Sequence, residues 1–341
     1  MAEIVSREVH LKHRPLGLPR ESDFELVEVK LPEIGQGEML IRNIYMSVDP
    51  YMRGRMIDRK SYVPPFQLNR PLEGGCVGQV IESRGSKFQV GDFVLGMLGW
   101  REHYVSDGTG LLKIDPGVAP IQAYLGTVGM PGLTAYFGLL EIGKPKKGET
   151  VFVSAAAGAV GSVVCQVAKL KGCHVIGSAG SDPKVSWLME EAGIDAAFNY
   201  KAVEDITAEV GKYCKNGIDV YFENVGGKHL EAALEHMNTC GRIVLCGMIS
   251  VYNATKPPAG PYNLFYAISK QLTLKGFIVS EHLDIQPQFH AEIGKWISEG
   301  KIKWEETISE GIESAPKAFI GLFKGQNLGK MLVRISPDPT L

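Results

Sequence analysis

The sequence predicts an α/β protein in which a β-rich region precedes a doubly wound parallel sheet. Up to about residue 127, short stretches that alternate apolar and polar residues, such as 24–29 and 78–83, are separated by Gly and Pro turns. From about residue 128, apolar strands alternate with helical segments, which is the pattern of βα units. We therefore expect a β-rich domain of residues 1–127 and 310–341 and a second domain of residues 128–309.

The second domain is predicted to contain a six-stranded parallel sheet. Its predicted strands are residues 151–153, 174–177, 196–198, 218–222, 242–246 and 272–278. Helices are expected between them, joined by right-handed crossovers. A last apolar stretch, residues 331–335, is predicted to be a strand that returns to the β-rich domain.

A small-residue turn within residues 149–178 is the most informative feature of the chain. A strand, this turn, a helix and a second strand follow one another in about 30 residues, the size of a dinucleotide-binding βαβ unit. Gly158 and Gly161 let a pyrophosphate approach the helix N-terminus, although Ala156 replaces the first glycine of the usual motif. The turn residues expected to bind the cofactor are Ala157, Gly158, Ala159, Val160 and Gly161. The alternative is a buried turn that uses small residues only for packing.

Composition excludes several classes of protein. Hydrophobic residues make up 45%, charged residues 22%, and the net charge is −2, so nothing favours nucleic acid or an anionic membrane. Residues 151–168 are apolar but contain the Gly-Ala-Ser turn, so we do not expect a membrane span. Charges near the N-terminus argue against a signal peptide and for the cytoplasm. The six cysteines contain no C-x-x-C pair and are expected to be core thiols.

The end of the second predicted strand favours NADPH over NADH. An NAD site usually has an acidic residue there, but residues 177–181 contain none, and Ser181 is followed by Asp182 and then Lys184. Tyr200 and Lys201 end the next strand. Removing the carboxylate and adding a cation favours a 2′-phosphate. The alternative is that Lys184 is a solvated residue in the first helical turn.

Several motifs together resemble one family. They are MSVDPYMRGR at 46–55, AAAGAVGS at 155–162, ENVGG at 223–227, CGMISVYN at 246–253 and GQNLGK at 325–330. The chain resembles the zinc-independent medium-chain dehydrogenases/reductases of the prostaglandin reductase, leukotriene hydroxydehydrogenase and alkenal double-bond reductase branch, especially the bacterial curcumin-reductase type. The resemblance implies a GroES-like β-rich domain, a Rossmann domain, NADPH as cofactor and a homodimer.

The resemblance also implies roles for individual residues. Lys184 and Tyr200 should contact the 2′-phosphate of NADPH, and Tyr252 should hold the substrate carbonyl. Further residues expected along the cofactor are Ser181, Asn224, Cys246, Gly247, Phe277, Val279 and Asn327. Tyr51 and Tyr262 are expected to line the substrate pocket, and Tyr262 is a rival to Tyr252 as hydrogen-bond donor.

No metal is expected. Metal-dependent members of this superfamily carry an early Cys and a Gly-His-Glu block, whereas this chain has Ser47 and Gly75-Cys76 in the corresponding stretches. Cys76 and Glu73 cannot form a three-ligand zinc site alone. Arg53 and Arg55 nearby are expected to be solvated, and Asp49 to hydrogen-bond within its own turn.

The predicted function is NADPH-dependent reduction of the C=C bond of α,β-unsaturated aldehydes and ketones. Hydride addition to the β-carbon places charge on the carbonyl oxygen, and a tyrosine hydroxyl and cofactor hydroxyls can stabilise that charge. Tyr252 follows a predicted strand end, where open α/β sheets bind ligands. The alternatives are an NADPH quinone oxidoreductase and a non-catalytic NADPH-binding protein.

Overall fold

The computed structural model describes residues 4–341, which form two compact units. The first unit contains the described residues up to Gly126 together with Glu306–Leu341, and the second is Thr127–Glu305. The first unit is therefore built from two separated parts of the chain.

The N-terminal part of the first unit is a set of short strands. Its elements are β1 (Val5–Leu11), β2 (Phe24–Lys30), β3 (Met39–Ser47), α1 (Met52–Arg55), β4 (Cys76–Ser83), β5 (Phe93–Gly96), β6 (His103–Ser106) and β7 (Leu112–Ile114). Strands β1 and β2 pair with each other, whereas β3, β4, β5 and β7 are neighbours in a larger sheet and β6 also pairs with β3. Strand β3 is buried along almost its whole length, although it contains the polar residues Arg42 and Asn43.

The second unit alternates helices and strands. Its elements are α2 (Met130–Phe137), β8 (Thr150–Val153), α3 (Gly161–Leu170), β9 (His174–Ala179), α4 (Asp182–Glu190), β10 (Ala196–Asn199), α5 (Ile206–Tyr213), β11 (Ile218–Glu223), α6 (Lys228–His236), β12 (Met237–Leu245), α7 (Tyr266–Ser269), β13 (Thr273–Gly276) and α8 (Gln286–Ser298). The strands form one parallel sheet in the order β10-β9-β8-β11-β12-β13. The predicted α/β fold with a six-stranded Rossmann sheet is confirmed. None of the helices within residues 4–341 is long and apolar enough to cross a membrane.

The C-terminal part completes the first unit with β14 (Glu306–Glu310), α9 (Ala315–Lys324) and β15 (Lys330–Arg334). Strand β15 lies parallel to β14 and antiparallel to β3. Lys330 is buried, and its Nζ donates to the carbonyls of Val48 (3.0 Å) and Met331 (2.8 Å) and lies 3.2 Å from Asp49 Oδ1. Ser47 Oγ also donates to Asp49. This buried network fixes the turn after β3.

The expectation that all six cysteines are core thiols was wrong. Cys240 is exposed and Cys246 is only partly buried, so not all six cysteines are core thiols. Cys240 lies in an exposed stretch of β12 and has a left-handed backbone (φ 63°) that the sequence does not reveal.

The arginines after β3 are buried, not solvated. Arg53 Nη2 donates to the Gly17 carbonyl at 2.9 Å. Arg55 pairs with Glu73 at 2.7 Å, and its guanidinium lies 4.0 Å from the centroid of the Phe66 ring. Both arginines hold loops of the first unit, which lowers the desolvation cost of burying their charges.

Candidate functional site

The turn between β8 and α3 has almost no room for side chains. A Cβ on Gly161 would overlap the carbonyl oxygen of Ala155 and lie 2.9 Å from Ala156 Cα, and one on Gly158 would lie 3.2 Å from the same oxygen. Ala155 has a left-handed backbone (φ 48°) that turns the chain from strand to helix. Helix α3 begins at Gly161, and the N–H groups of Ser162 and Val163 donate to the carbonyls of Gly158 (3.0 Å) and Val160 (3.1 Å). The lack of side chains at this turn would let a pyrophosphate approach the helix N-terminus closely.

The end of β9 contains a second glycine cradle. A Cβ on Gly180 would lie 3.1 Å from the hydroxyl oxygen of Tyr200. Gly180 precedes Ser181, the N-cap residue of α4, and Lys184 is half-buried in the first turn of that helix. Burial is the main cause that lowers the pKa of Lys184. The structure therefore brings Ser181, Lys184 and Tyr200 to the same end of α4, as a 2′-phosphate site requires.

His229 supports Tyr200 from α6 and was not singled out by the sequence. The two rings meet edge to face, with centroids 4.9 Å apart and planes at 82°. His229 is buried, which lowers its pKa to about 4, so the imidazole is neutral at pH 7. A histidine at the second position of a helix gives no sequence signal for such a contact.

Asn224 is held at the end of β11 by polar residues of two neighbouring strands. Its backbone N–H donates to Ser154 Oγ (2.9 Å) and its side-chain amide to the Ser154 carbonyl (2.8 Å). Glu223 Oε1 accepts hydrogen bonds from Ser154 Oγ (3.1 Å) and from the N–H groups of Val225 and Gly226 (both 2.7 Å). Burial nevertheless raises the pKa of Glu223. Ser154 and Glu223 are polar residues that directly follow two predicted strands, and this position was the sequence signal that could have identified them.

Tyr252 lies against the end of β12. A Cβ on Gly247 would be 3.3 Å from the Tyr252 hydroxyl oxygen and 3.5 Å from the Asn224 carbonyl oxygen, and the Met248 N–H donates to that hydroxyl at 3.4 Å. The structure thus brings Tyr252, Gly247 and Asn224 together at the carboxyl ends of β11 and β12. Burial raises the pKa of the Cys246 thiol to about 12, so Cys246 is not a thiolate nucleophile at neutral pH.

The other predicted site residues of the second unit lie near the edge of its sheet. Phe277 is half-buried and its ring centroid is 5.4 Å from that of Phe137. Val279 starts the short turn Val279–Glu281 after β13. Tyr262 is 74% exposed on the loop before α7.

Two predicted residues belong to the first unit. Tyr51 immediately precedes α1 and packs against the apolar core of that unit, and burial raises its pKa above the ordinary value. Asn327 precedes β15, and its amide donates to the Gly329 carbonyl at 2.8 Å. Both side chains are therefore positioned by contacts within the first unit.

Cys76 and Glu73, the two potential metal ligands considered in the sequence, are engaged in other ways. Burial raises the pKa of the Cys76 thiol to about 12, and Glu73 pairs with Arg55. Among residues 4–341 there is no group of three or more His, Cys, Asp and Glu that could hold a metal ion. That the protein works without zinc stays a prediction from the sequence.

Comparison with known proteins identifies the family. The family described as N-terminal domain of oxidoreductase matches residues 7–114, and the one described as zinc-binding dehydrogenase matches residues 159–295. The chain is 47% identical over 347 residues to a 2-alkenal reductase (NADP(+)-dependent) of Nicotiana tabacum, covering 99% of this chain and 100% of the relative. It is 44% identical over 333 residues to the NADPH-dependent curcumin reductase of Escherichia coli (strain K12), covering 96% of each. The crystal structure of CurA in complex with NADPH from Vibrio vulnificus has a TM-score of 0.93 at 43% identity and covers 97% of this chain and 100% of that chain.

The fold, the glycine turn and these matches define an oxidoreductase with a Rossmann domain. The chain belongs to the medium-chain dehydrogenase/reductase superfamily and, within it, to the prostaglandin reductase and alkenal reductase branch. The resemblance in the sequence motifs is thereby confirmed.

Proposed function

We propose that this oxidoreductase uses NADPH to reduce the carbon–carbon double bond of α,β-unsaturated aldehydes and ketones. The observation that carries the proposal is the Tyr252 hydroxyl beside Gly247, at the carboxyl ends of two parallel strands. The names of the tobacco and Escherichia coli relatives, a 2-alkenal reductase and a curcumin reductase, support the same reaction.

The residues of the second unit suit NADPH. The glycine turn would accept the pyrophosphate, and the group at the N-terminus of α4 would accept the 2′-phosphate. The residues proposed to hold the cofactor in this unit are Ala157, Gly158, Ala159, Val160, Gly161, Ser181, Lys184, Tyr200, Asn224, Cys246, Gly247, Phe277 and Val279. Ser154 would position the backbone and amide of Asn224 through its hydrogen bonds, and Glu223 would hold the Ser154 hydroxyl in place.

Tyr252 would stabilise the charge that develops in the reaction. When bound, NADPH supplies a hydride, which adds to the electron-poor β-carbon of the enone and moves negative charge onto the carbonyl oxygen. The Tyr252 hydroxyl would donate a hydrogen bond to that oxygen, and water or Tyr252 would then supply the proton that the α-carbon needs to give the saturated product. Removing one such donor typically costs roughly 3 to 4 kcal/mol, or about 100- to 1,000-fold in kcat.

The test follows NADPH oxidation with 3-nonen-2-one, with NADH and a metal chelator as comparisons. We expect chelator-insensitive turnover to the saturated ketone, with kcat lowered about 100- to 1,000-fold in Tyr252→Phe. If Tyr262→Phe lowers kcat instead, Tyr262 is the donor. An allylic alcohol as product would contradict double-bond reduction, and turnover of a simple quinone without turnover of enones would favour a quinone reductase.

We also propose that the protein is a cytoplasmic homodimer. Strand β13 forms one edge of the six-stranded sheet. Large apolar side chains are exposed on the preceding segment, namely Tyr262 (74%), Leu264 (47%), Phe265 (58%) and Ile268 (82%). A second copy would cover both the edge and this apolar face. Light scattering should give a dimer for the natural protein and a monomer for Ile268→Glu; a monomeric natural protein would contradict the proposal.

A further inference from the structure

The end of β10 is tied firmly to the first turn of α4. The Tyr200 N–H donates to the Ala179 carbonyl at 3.0 Å, and the Lys201 N–H donates to Asn199 Oδ1 at 3.1 Å. The Asn199 amide in turn donates to Asp182 Oδ1 at 2.8 Å. The backbone at Lys201 is therefore fixed against the N-terminus of α4.

The side chain of Lys201 converges with Tyr200 on Gly180. A Cβ on Gly180 would lie 3.3 Å from Lys201 Cε, 3.3 Å from Tyr200 Cε1 and 3.1 Å from the Tyr200 hydroxyl oxygen. Since Cε carries the ammonium group, the charge of Lys201 lies close to the glycine cradle. The absence of a side chain at Gly180 leaves both groups in contact with the same stretch of backbone.

Lys201 places one positive charge at this cradle, and Lys184 adds a second from the first turn of α4. After burial, the charge of Lys201 is the second cause that lowers the pKa of Lys184, because two nearby ammonium groups repel each other. The neighbouring Asp182 carboxylate accepts a hydrogen bond from the Asn199 amide. The Lys201 side chain itself is exposed. A doubly charged anion between the two lysines would relieve this repulsion.

We propose that Lys201 is a second cation of the 2′-phosphate subsite and a determinant of the preference for NADPH over NADH. This inference rests on the proposed function, in which Lys184 and Tyr200 bind the same phosphate. A phosphate monoester carries a charge of about −1.5 to −2 at pH 7, so one lysine leaves it only partly neutralised and two match it. NADH has a hydroxyl in that position and gains nothing from the second charge.

Binding of adenosine 2′,5′-bisphosphate and of 5′-AMP, measured by calorimetry, tests this without any catalytic step. In Lys201→Met we expect the Kd for the bisphosphate to rise about 5- to 20-fold, while that for 5′-AMP stays within about twofold. Because Lys201 is exposed, the effect stays below that of a buried pair. Lys201→Arg should restore most of the affinity. Lys215→Met removes one exposed charge elsewhere in the same unit and should leave both affinities unchanged.

Lys184→Met separates failure of this inference from failure of the proposed function. If Lys184→Met weakens bisphosphate binding and Lys201→Met does not, the phosphate subsite stands and the role of Lys201 is overturned. If neither variant discriminates between the two nucleotides, the cofactor subsite itself is wrong. Equal losses for bisphosphate and 5′-AMP in Lys201→Met would indicate a structural role and also overturn the inference.

Discussion

Replacing Gly161 by alanine should damage both the stability and the cofactor binding of the second unit. The new methyl group would overlap the Ala155 carbonyl oxygen and lie 2.9 Å from Ala156 Cα, whereas carbon atoms in contact are normally about 3.5 to 4.0 Å apart. Both obstructing atoms belong to the backbone, so no side-chain rotation relieves the overlap. Helix α3 must therefore move away from the end of β8 by about 0.5 to 1 Å.

The size of the effect follows from this overlap. Overpacking of a rigid contact costs about 1 to 3 kcal/mol, and the better helix propensity of alanine offsets up to about 1 kcal/mol. A net loss of roughly 1 to 2 kcal/mol corresponds to a fall in Tm of about 2 to 8 °C for a unit of this size. Because the same shift moves the N–H groups of α3, we also expect weaker NADPH binding. Thermal unfolding with and without NADPH measures both effects.

Gly158→Ala is the matched control. Its methyl group would meet a single atom, the Ala155 carbonyl oxygen, at 3.2 Å, which a displacement of a few tenths of an ångström relieves. We expect it to lower Tm less than Gly161→Ala does. Equal Tm values for Gly161→Ala and the natural protein would show that the turn is looser than the structure indicates and would refute the reasoning.

Three further predictions concern the neighbouring polar groups. Gly180→Ala should push Tyr200 and Lys201 away from the cradle, raising KM for NADPH but not for NADH; unchanged KM values would contradict the cradle. His229 has a folded pKa near 4 against about 6.5 unfolded, so its contribution to stability is present above pH 6.5 and lost as pH falls. From pH 7 to 5 this loss amounts to about 2 kcal/mol, and urea unfolding of His229→Phe should lack it. The pKa of Glu223 is raised, so the contribution of its protonated form to the stability of the fold is lost as pH rises above about 4.5. Glu223→Gln, which cannot ionise, should therefore gain stability relative to the natural protein between pH 4 and 7. A difference in stability that stays constant over this range would argue against this reasoning.

Much of the second unit could be predicted because its signals are local. The strand before the glycine turn, the turn and the helix after it lie within residues 149–178, and the structure has β8, α3 and β9 there. By contrast, α2 and α9 escaped prediction. Helix α2 contains no charged residue and is hard to distinguish from a buried strand. Helix α9 does carry helix signals that could have identified it, namely Pro316 near its start, Lys324 in its last turn and Gly325 after it.

The parts of the candidate site that escaped prediction depend on contacts between distant residues. Ser154 and Glu223 are 69 positions apart and meet only because β8 and β11 are neighbours at the point where the strand order reverses. The packing of His229 on Tyr200 likewise joins α6 to the end of β10. Neither contact follows from spacing in the sequence, because strand order is set by the packing of the whole sheet.

The return of β15 to β3 has a consequence for how the protein is made. Lys330 lies 282 positions after Val48, the residue whose carbonyl it binds. At a synthesis rate of about 5 to 20 residues per second, roughly 15 to 60 s pass between the two leaving the ribosome. During that time residues 45–47 of β3 lack the strand that will pair with them, while all of Thr127–Glu305 is synthesised and becomes available to fold. The end of β3 therefore stays unpaired on this side of the nascent chain until β15 emerges.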